Sequence, residues 1–137
     1  MAGLLANHAR VFKWMPCPAR VPVGTPGHCH ETAYWLAKDH GFIYCEGLLV
    51  SSSHTMAHAW NCSRDGLVVD STLRSETEPR LSYYGIPFKT EYIVKHHRKV
   101  GYYGLMDGHP TLGDAIGPYV DPPSLWLHPL PHGEESI

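Results

Sequence analysis

The segment CHETAYWLAKDHG, residues 29–41, followed at once by FIYCEGLLV, residues 42–50, decides the fold. In its first half Ala33, Leu36 and Ala37, with Tyr34 or Trp35 beside them, recur at steps of three and four, the spacing of one helix face. Glu31 lies in the first turn, where a carboxylate suits the helix dipole. Gly41 supplies the left-handed residue that closes a helix. The helix therefore starts at, or just before, Cys29. The second half turns to aromatic and branched residues and reads as a strand.

Downstream, Thr55–Cys62 and Leu67–Thr72 are two further strand-like runs. Between them Ser63-Arg64-Asp65-Gly66 is a hairpin signal. A three-residue loop with a bulge at Gly66 sets His58 roughly opposite Asp70, and a slip of one residue would change that. Residues 73–91 are polar, with Tyr83-Tyr84-Gly85-Ile86-Pro87-Phe88 expected as an ordered loop. Glu91–Lys95 is expected as a fourth strand and Val100–Met106 as a fifth. From Gly108 onward, prolines at 110, 118, 122, 123, 129 and 131 forbid long regular elements, and Trp126 and Leu127 are expected to anchor this tail.

Upstream, residues 1–14 read as a short helix. Pro16, Pro18, Pro22 and Pro26 then make 15–28 an irregular, stiff approach to Cys29. Helix first, then an antiparallel meander, is an α+β pattern rather than a doubly wound sheet. One domain over 1–137 is expected, with its core at about 27–106 and a Pro-rich tail over 108–137.

Apolar residues make up 43% and charged residues 18% of the 137 residues, a globular composition. The formal charge of −2 leaves no electrostatic footprint for nucleic acid or an acidic membrane. No segment approaches membrane-spanning length, and the first residues lack the basic start and apolar length of a signal peptide. A cytoplasmic location is therefore expected. There the four cysteines, Cys17, Cys29, Cys45 and Cys62, would be thiols rather than a disulfide frame.

Three residues point to chemistry. Cys29 opens a helix, where free backbone N–H groups and the dipole favour a thiolate. His58, between Ala57 and Ala59 on a strand, has small neighbours that leave its ring approachable. A neutral imidazole there can take a thiol proton and return it to a leaving amine. Asp70 ends Leu67-Val68-Val69, an apolar run in which a carboxylate is costly unless paired. Two partners present themselves: the far nitrogen of His58, which the carboxylate would orient, or local backbone at Ser71 and Thr72 in a strand-end turn. Read separately, each residue also has a plain role: a core cysteine, one histidine among 11, a turn aspartate.

Taken together, Gly27-x-Cys29, His58-Ala59-Trp60 and Asp70-Ser71-Thr72 resemble, in order and spacing, the core motifs of the transglutaminase-like (papain-like) cysteine protease superfamily. The resemblance covers about residues 27–72. It implies a Cys29 nucleophile, a His58 base and an Asp70 orienter, acting on amide, peptide or ester bonds through a thioester. No cofactor or metal is implied, and the expected partner is a peptide, protein or small amide substrate. The wider string, with Tyr44-x-Glu46-Gly47, Asn61 and Tyr84-Gly85-Ile86-Pro87-Phe88, is also similar to bacterial and phage proteins of uncharacterised activity.

The chain departs from the superfamily pattern in having no glutamine, the side chain that papain-like peptidases place in the oxyanion hole. The Cys29 backbone N–H would need help there, and Trp14, His28 and Tyr84 are the candidates. A non-catalytic binding protein on the same scaffold, such as a phage-encoded inhibitor, is the alternative. A zinc site built from His28, Cys29, His30, His54 and His58 is a further one, although positions four apart on a strand lie ~13 Å from each other. Glu46 reads either as a buried partner for His30 or as an exposed residue.

Overall fold

The computed structural model describes residues 2–13, 15–25, 27–52, 54–72, 82–106 and 117–130. The predicted central helix is α2, Cys29–His40, closed by Gly41 at φ 75°. Ahead of it lie α1, Ala2–His8, and β1, Arg10–Phe12. After it come β2, Ile43–Val50, β3, Thr55–Cys62, and the two-residue β4, Val68–Val69. Then follow β5, Ser82–Phe88, α3, Thr90–Val100, a 3-10 turn at Gly117–Tyr119 and α4, Pro123–Trp126. Among the described residues the strands form one antiparallel α+β sheet in the order β1-β5-β2-β3-β4. No described helix is long and apolar enough to cross a membrane.

The strand register alternates residues between two faces. Tyr44, Glu46, Ala59, Ile86 and Phe88 face α2, where they pack with Ala33, Tyr34, Ala37, Leu5, Ile93, Leu105 and Trp126. Cys45, Trp60, Cys62, Val68 and Tyr83 line the other face with Phe12 and Leu130. Asn61 pins the helix to the sheet: its buried side-chain amide donates to the Ala33 carbonyl at 2.9 Å and to the Ile43 carbonyl at 3.3 Å.

Four expectations are corrected. The expected loop Tyr83–Phe88 is an interior strand, paired with β2 along its length and with β1 at Tyr83–Gly85. Pro87 is tolerated because its polar edge faces away from β2: the Pro87 carbonyl accepts from His128 N at 3.0 Å, beyond the end of β1, so a missing N–H breaks no β2 bond. Glu91–Lys95 belongs to α3, whose buried residues, Ile93 and His96, stand three apart. Branched residues suggested a strand, but burial follows the helical step. Val100 ends that helix, with Gly101 at φ 72°, and the backbone from there to Met106 is irregular. Residues 10–12 leave the expected N-terminal helix because the open edge of β5 offers them hydrogen bonds that a short isolated helix cannot match.

The simple meander is also revised, since β5 lies on the far side of β2 from β3. Trp126 and Leu127 do anchor the described tail. Trp126 is fully buried against Phe88, 5.5 Å between ring centres, and Leu127 bridges to Phe88.

Gly47 and Gly85 stand in a row with His58 across β3, β2 and β5. A Cβ on Gly85 would lie 2.6 Å from both the Glu46 carbonyl oxygen and Cη2 of Trp60, whose ring covers this glycine. Gly85→Ala should therefore cost about 1–3 kcal/mol by overpacking, read as a lower urea midpoint at unchanged m-value. An unchanged midpoint would show that the strands do not approach as closely as described.

Candidate active site

The start of α2 is tied to the end of β4. Gly24 donates its N–H to the Ser71 carbonyl at 3.3 Å, and a Cβ on Gly24 would collide with Thr72, Thr32 and Ser71. This close crossing holds the first turn of α2 near Ser71 and Thr72, the residues that follow Asp70. Thr32 N closes the first helical turn on the His28 carbonyl, so the earlier first-turn amides lack intrahelical acceptors.

His58 is 4% exposed and Asp70 is 6% exposed. The Nε2 of His58 lies 2.8 Å from Asp70 Oδ2. The register pairs Asn61 with Val69, so Asp70 lies beyond the strand end, next to Trp60 rather than directly opposite His58. That is a displacement of two residues from the expected pairing. Because strand side chains alternate with period two, Asp70 still shares a face with His58.

Both expected roles of Asp70 are filled, one oxygen each. Oδ1 accepts from Thr72 N at 3.2 Å and Thr72 Oγ1 at 2.8 Å, the local turn. Oδ2 takes His58 and also the Tyr83 hydroxyl at 2.9 Å. Burial opposes a charged carboxylate here, but the bonds from His58, Thr72 and Tyr83 outweigh it and hold the Asp70 pKa below its ordinary value.

With Nε2 occupied by Asp70, Nδ1 is the nitrogen His58 has for Cys29. Burial disfavours the thiolate of Cys29, yet hydrogen bonds to His30 and His58 and their charge bring its pKa down to about 6. Burial likewise disfavours the imidazolium of His58, but the bonds to Asp70 and Cys29 lift its pKa to about 9. Between these values the stable form is thiolate with imidazolium. Cys29 is half-buried, whereas Cys45 and Cys62 are fully buried, and all four cysteines are free thiols.

The other candidates fall elsewhere. Trp14 lies outside the described residues. His28 precedes the helix with its side chain exposed, 3.7 Å from Glu31. Tyr84 faces α1 and gives its hydroxyl to the Leu5 carbonyl at 3.3 Å. Its neighbour Tyr83 is the tyrosine that reaches the Cys-His-Asp group. The alternation of β5 would have indicated this had the segment been recognised as a strand. Trp60, buried to 1%, stacks on the His58 ring with centres 6.0 Å apart and planes at 19°.

Glu46 is a buried partner of His30, 3.5 Å from its Nε2. Among the described residues no group of three or more His, Cys, Asp or Glu side chains is arranged to hold a metal ion. A groove of about 420 Å3 lies beside the start of α2, lined by His28, Glu31, Trp35 and Asp39 among others. No protein-family model, curated protein or solved structure matches this chain.

Proposed function

We propose that this chain is a cysteine hydrolase or acyltransferase acting on an amide, peptide or ester bond, with a transglutaminase-like arrangement of Cys29, His58 and Asp70. The observation that carries the reading is the His58 ring held by the Asp70 carboxylate at 2.8 Å, together with a half-buried thiol at a helix start whose pKa is lowered to about 6. Buried structural cysteines are inert, and a cysteine with a lowered pKa beside an oriented imidazole is the form nucleophilic catalysis uses.

The Cys29 thiolate attacks the carbonyl carbon, forming a C–S bond and moving the carbonyl electron pair onto oxygen. The tetrahedral intermediate collapses as Nδ1–H of His58 protonates the departing amine or alkoxide. A thioester and a neutral imidazole remain. His58 then removes a proton from water or another amine, whose lone pair attacks the thioester and expels the Cys29 thiolate. Asp70 stays ionised throughout, fixing the ring and stabilising its charged form.

Alkylation by iodoacetamide across pH tests the reading without a known substrate. Cys29 should label with a rate midpoint near 6, well below the ordinary thiol value of ~8.5. The midpoint is the informative quantity. A more acidic thiol is also intrinsically less nucleophilic, so the rate gain at pH 7 is partly cancelled. A Cys29 midpoint at the ordinary value would remove the enzymatic reading and leave the non-catalytic binding protein.

A further inference from the structure

Cys29 has a second imidazole beside it. Nδ1 of His30 stands 3.6 Å from the Cys29 sulfur, and Nε2 of the same ring stands 3.5 Å from Glu46 Oε2. Glu46 is 1% exposed and firmly held. Its Oε1 accepts from the Tyr44 hydroxyl at 2.8 Å and Leu105 N at 2.9 Å, and its Oε2 from Met106 N at 2.8 Å. Three further donors are thus directed at this one buried carboxylate and fix its position against the His30 ring. Gly104 passes close to that ring: a Cβ there would sit 3.4 Å from His30 Cδ2.

The register separates the two carboxylate–imidazole pairs. Glu46 pairs with Ala59 and Gly47 pairs with His58, so Glu46 and His58 project from opposite faces of the β2–β3 ladder. The sulfur therefore has one carboxylate-backed ring anchored from each face.

Resting on the reading of Cys29 as nucleophile, we propose that His30, backed by Glu46, is a second catalytic imidazole that holds the sulfur's negative charge independently of His58 and donates to the oxyanion in place of the absent glutamine amide. His58 must give up its proton to the leaving group, and at that moment it no longer carries positive charge. His30 has no proton to deliver in this scheme. It keeps Nδ1–H directed at the sulfur and at the oxygen on the carbon to which that sulfur is bonded, both when charge builds on oxygen and when the thiolate is expelled. The titratable groups around it are Cys29 on α2, Glu46 on β2, His58 on β3, and His96 on α3, which faces Glu46 and whose pKa burial lowers.

The test is the iodoacetamide pH profile of Cys29 in the wild type, His30→Asn, His58→Asn and the double variant. Each single substitution should raise the midpoint by a pH unit or more while leaving it below the ordinary thiol value of ~8.5, and the double variant should bring it to that value. A wild-type midpoint near 6 that His30→Asn does not move overturns the role of His30 and leaves the triad standing. An ordinary wild-type midpoint overturns both. Histidine side-chain nitrogen NMR on the folded wild type gives a second readout should a variant not fold. At pH 7.5 both His30 and His58 should be doubly protonated, and the pH at which each gives up its second proton should fall in Cys29→Ala. A response from His58 alone refutes the proposal.

Discussion

Cys29→Ala should reduce turnover of any amide or ester the chain processes by on the order of 10^4-fold or more, since removing the nucleophile of such a group removes the whole covalent route. Little else should change. Cys29 sits in the first turn of α2 at the margin of the core, not within it, and alanine is a good helix residue. Circular dichroism and the urea transition at pH 6 should match those of the wild type. The comparison that decides is steady-state turnover of wild type and variant on the same substrate. Retained turnover in a folded variant would show that the sulfur takes no part in the reaction.

The same substitution should expose a pH dependence of stability that the wild type conceals. His58 has a folded pKa of about 9, above its ordinary value. Its contribution is fully present below ~6.5 and is lost as pH rises towards 9. Cys29 has a folded pKa of about 6, below its ordinary value. Its contribution is present above ~8.5 and is lost as pH falls towards 6. Across the window between, the folded pair holds one proton, on the ring, and the unfolded pair also holds one, on the thiol. Equal proton counts give no slope, so this pair leaves wild-type stability flat there.

In Cys29→Ala the thiol proton is absent from both states. Folded His58, still bonded to Asp70, then binds a proton that the unfolded chain has released. Stability should fall above pH 6.5 by up to about 1.4 kcal/mol per pH unit until the ring titrates. Urea midpoints at pH 6 and pH 8 for both chains measure this, and parallel profiles would mean that thiol and imidazole do not share a proton. On the acid side both chains should weaken alike below the ordinary carboxylate pKa, because Asp70 is held under it.

Much of the candidate site was legible because its parts are local. Cys29 at a helix start followed from the period of Ala33, Leu36 and Ala37, and from Gly41 as terminator. Asp70 stood out as a carboxylate at the end of an apolar run. The pairing with His58 survived a register two residues from the expected one, because a displacement of two keeps a side chain on its face where a displacement of one would not. Tyr83, Thr72 and the His30–Glu46 pair were less legible. Their roles depend on strands and loops far apart in the chain meeting at one place, as when Leu105 and Met106 reach back to Glu46.

By itself the sequence determined α2, β2, β3, the turn at Gly66 and the mixed α+β character, because short-range periodicity and glycine placement are properties of neighbouring residues. Only tertiary structure decided that Tyr83–Phe88 is an interior strand, that Glu91–Lys95 is helix, and that two imidazoles converge on Cys29. The physical reason is the same in each case. A proline inside a strand, or branched residues inside a helix, are settled by which hydrogen-bond partners and which buried surface the rest of the chain supplies, and neither is written in the local segment.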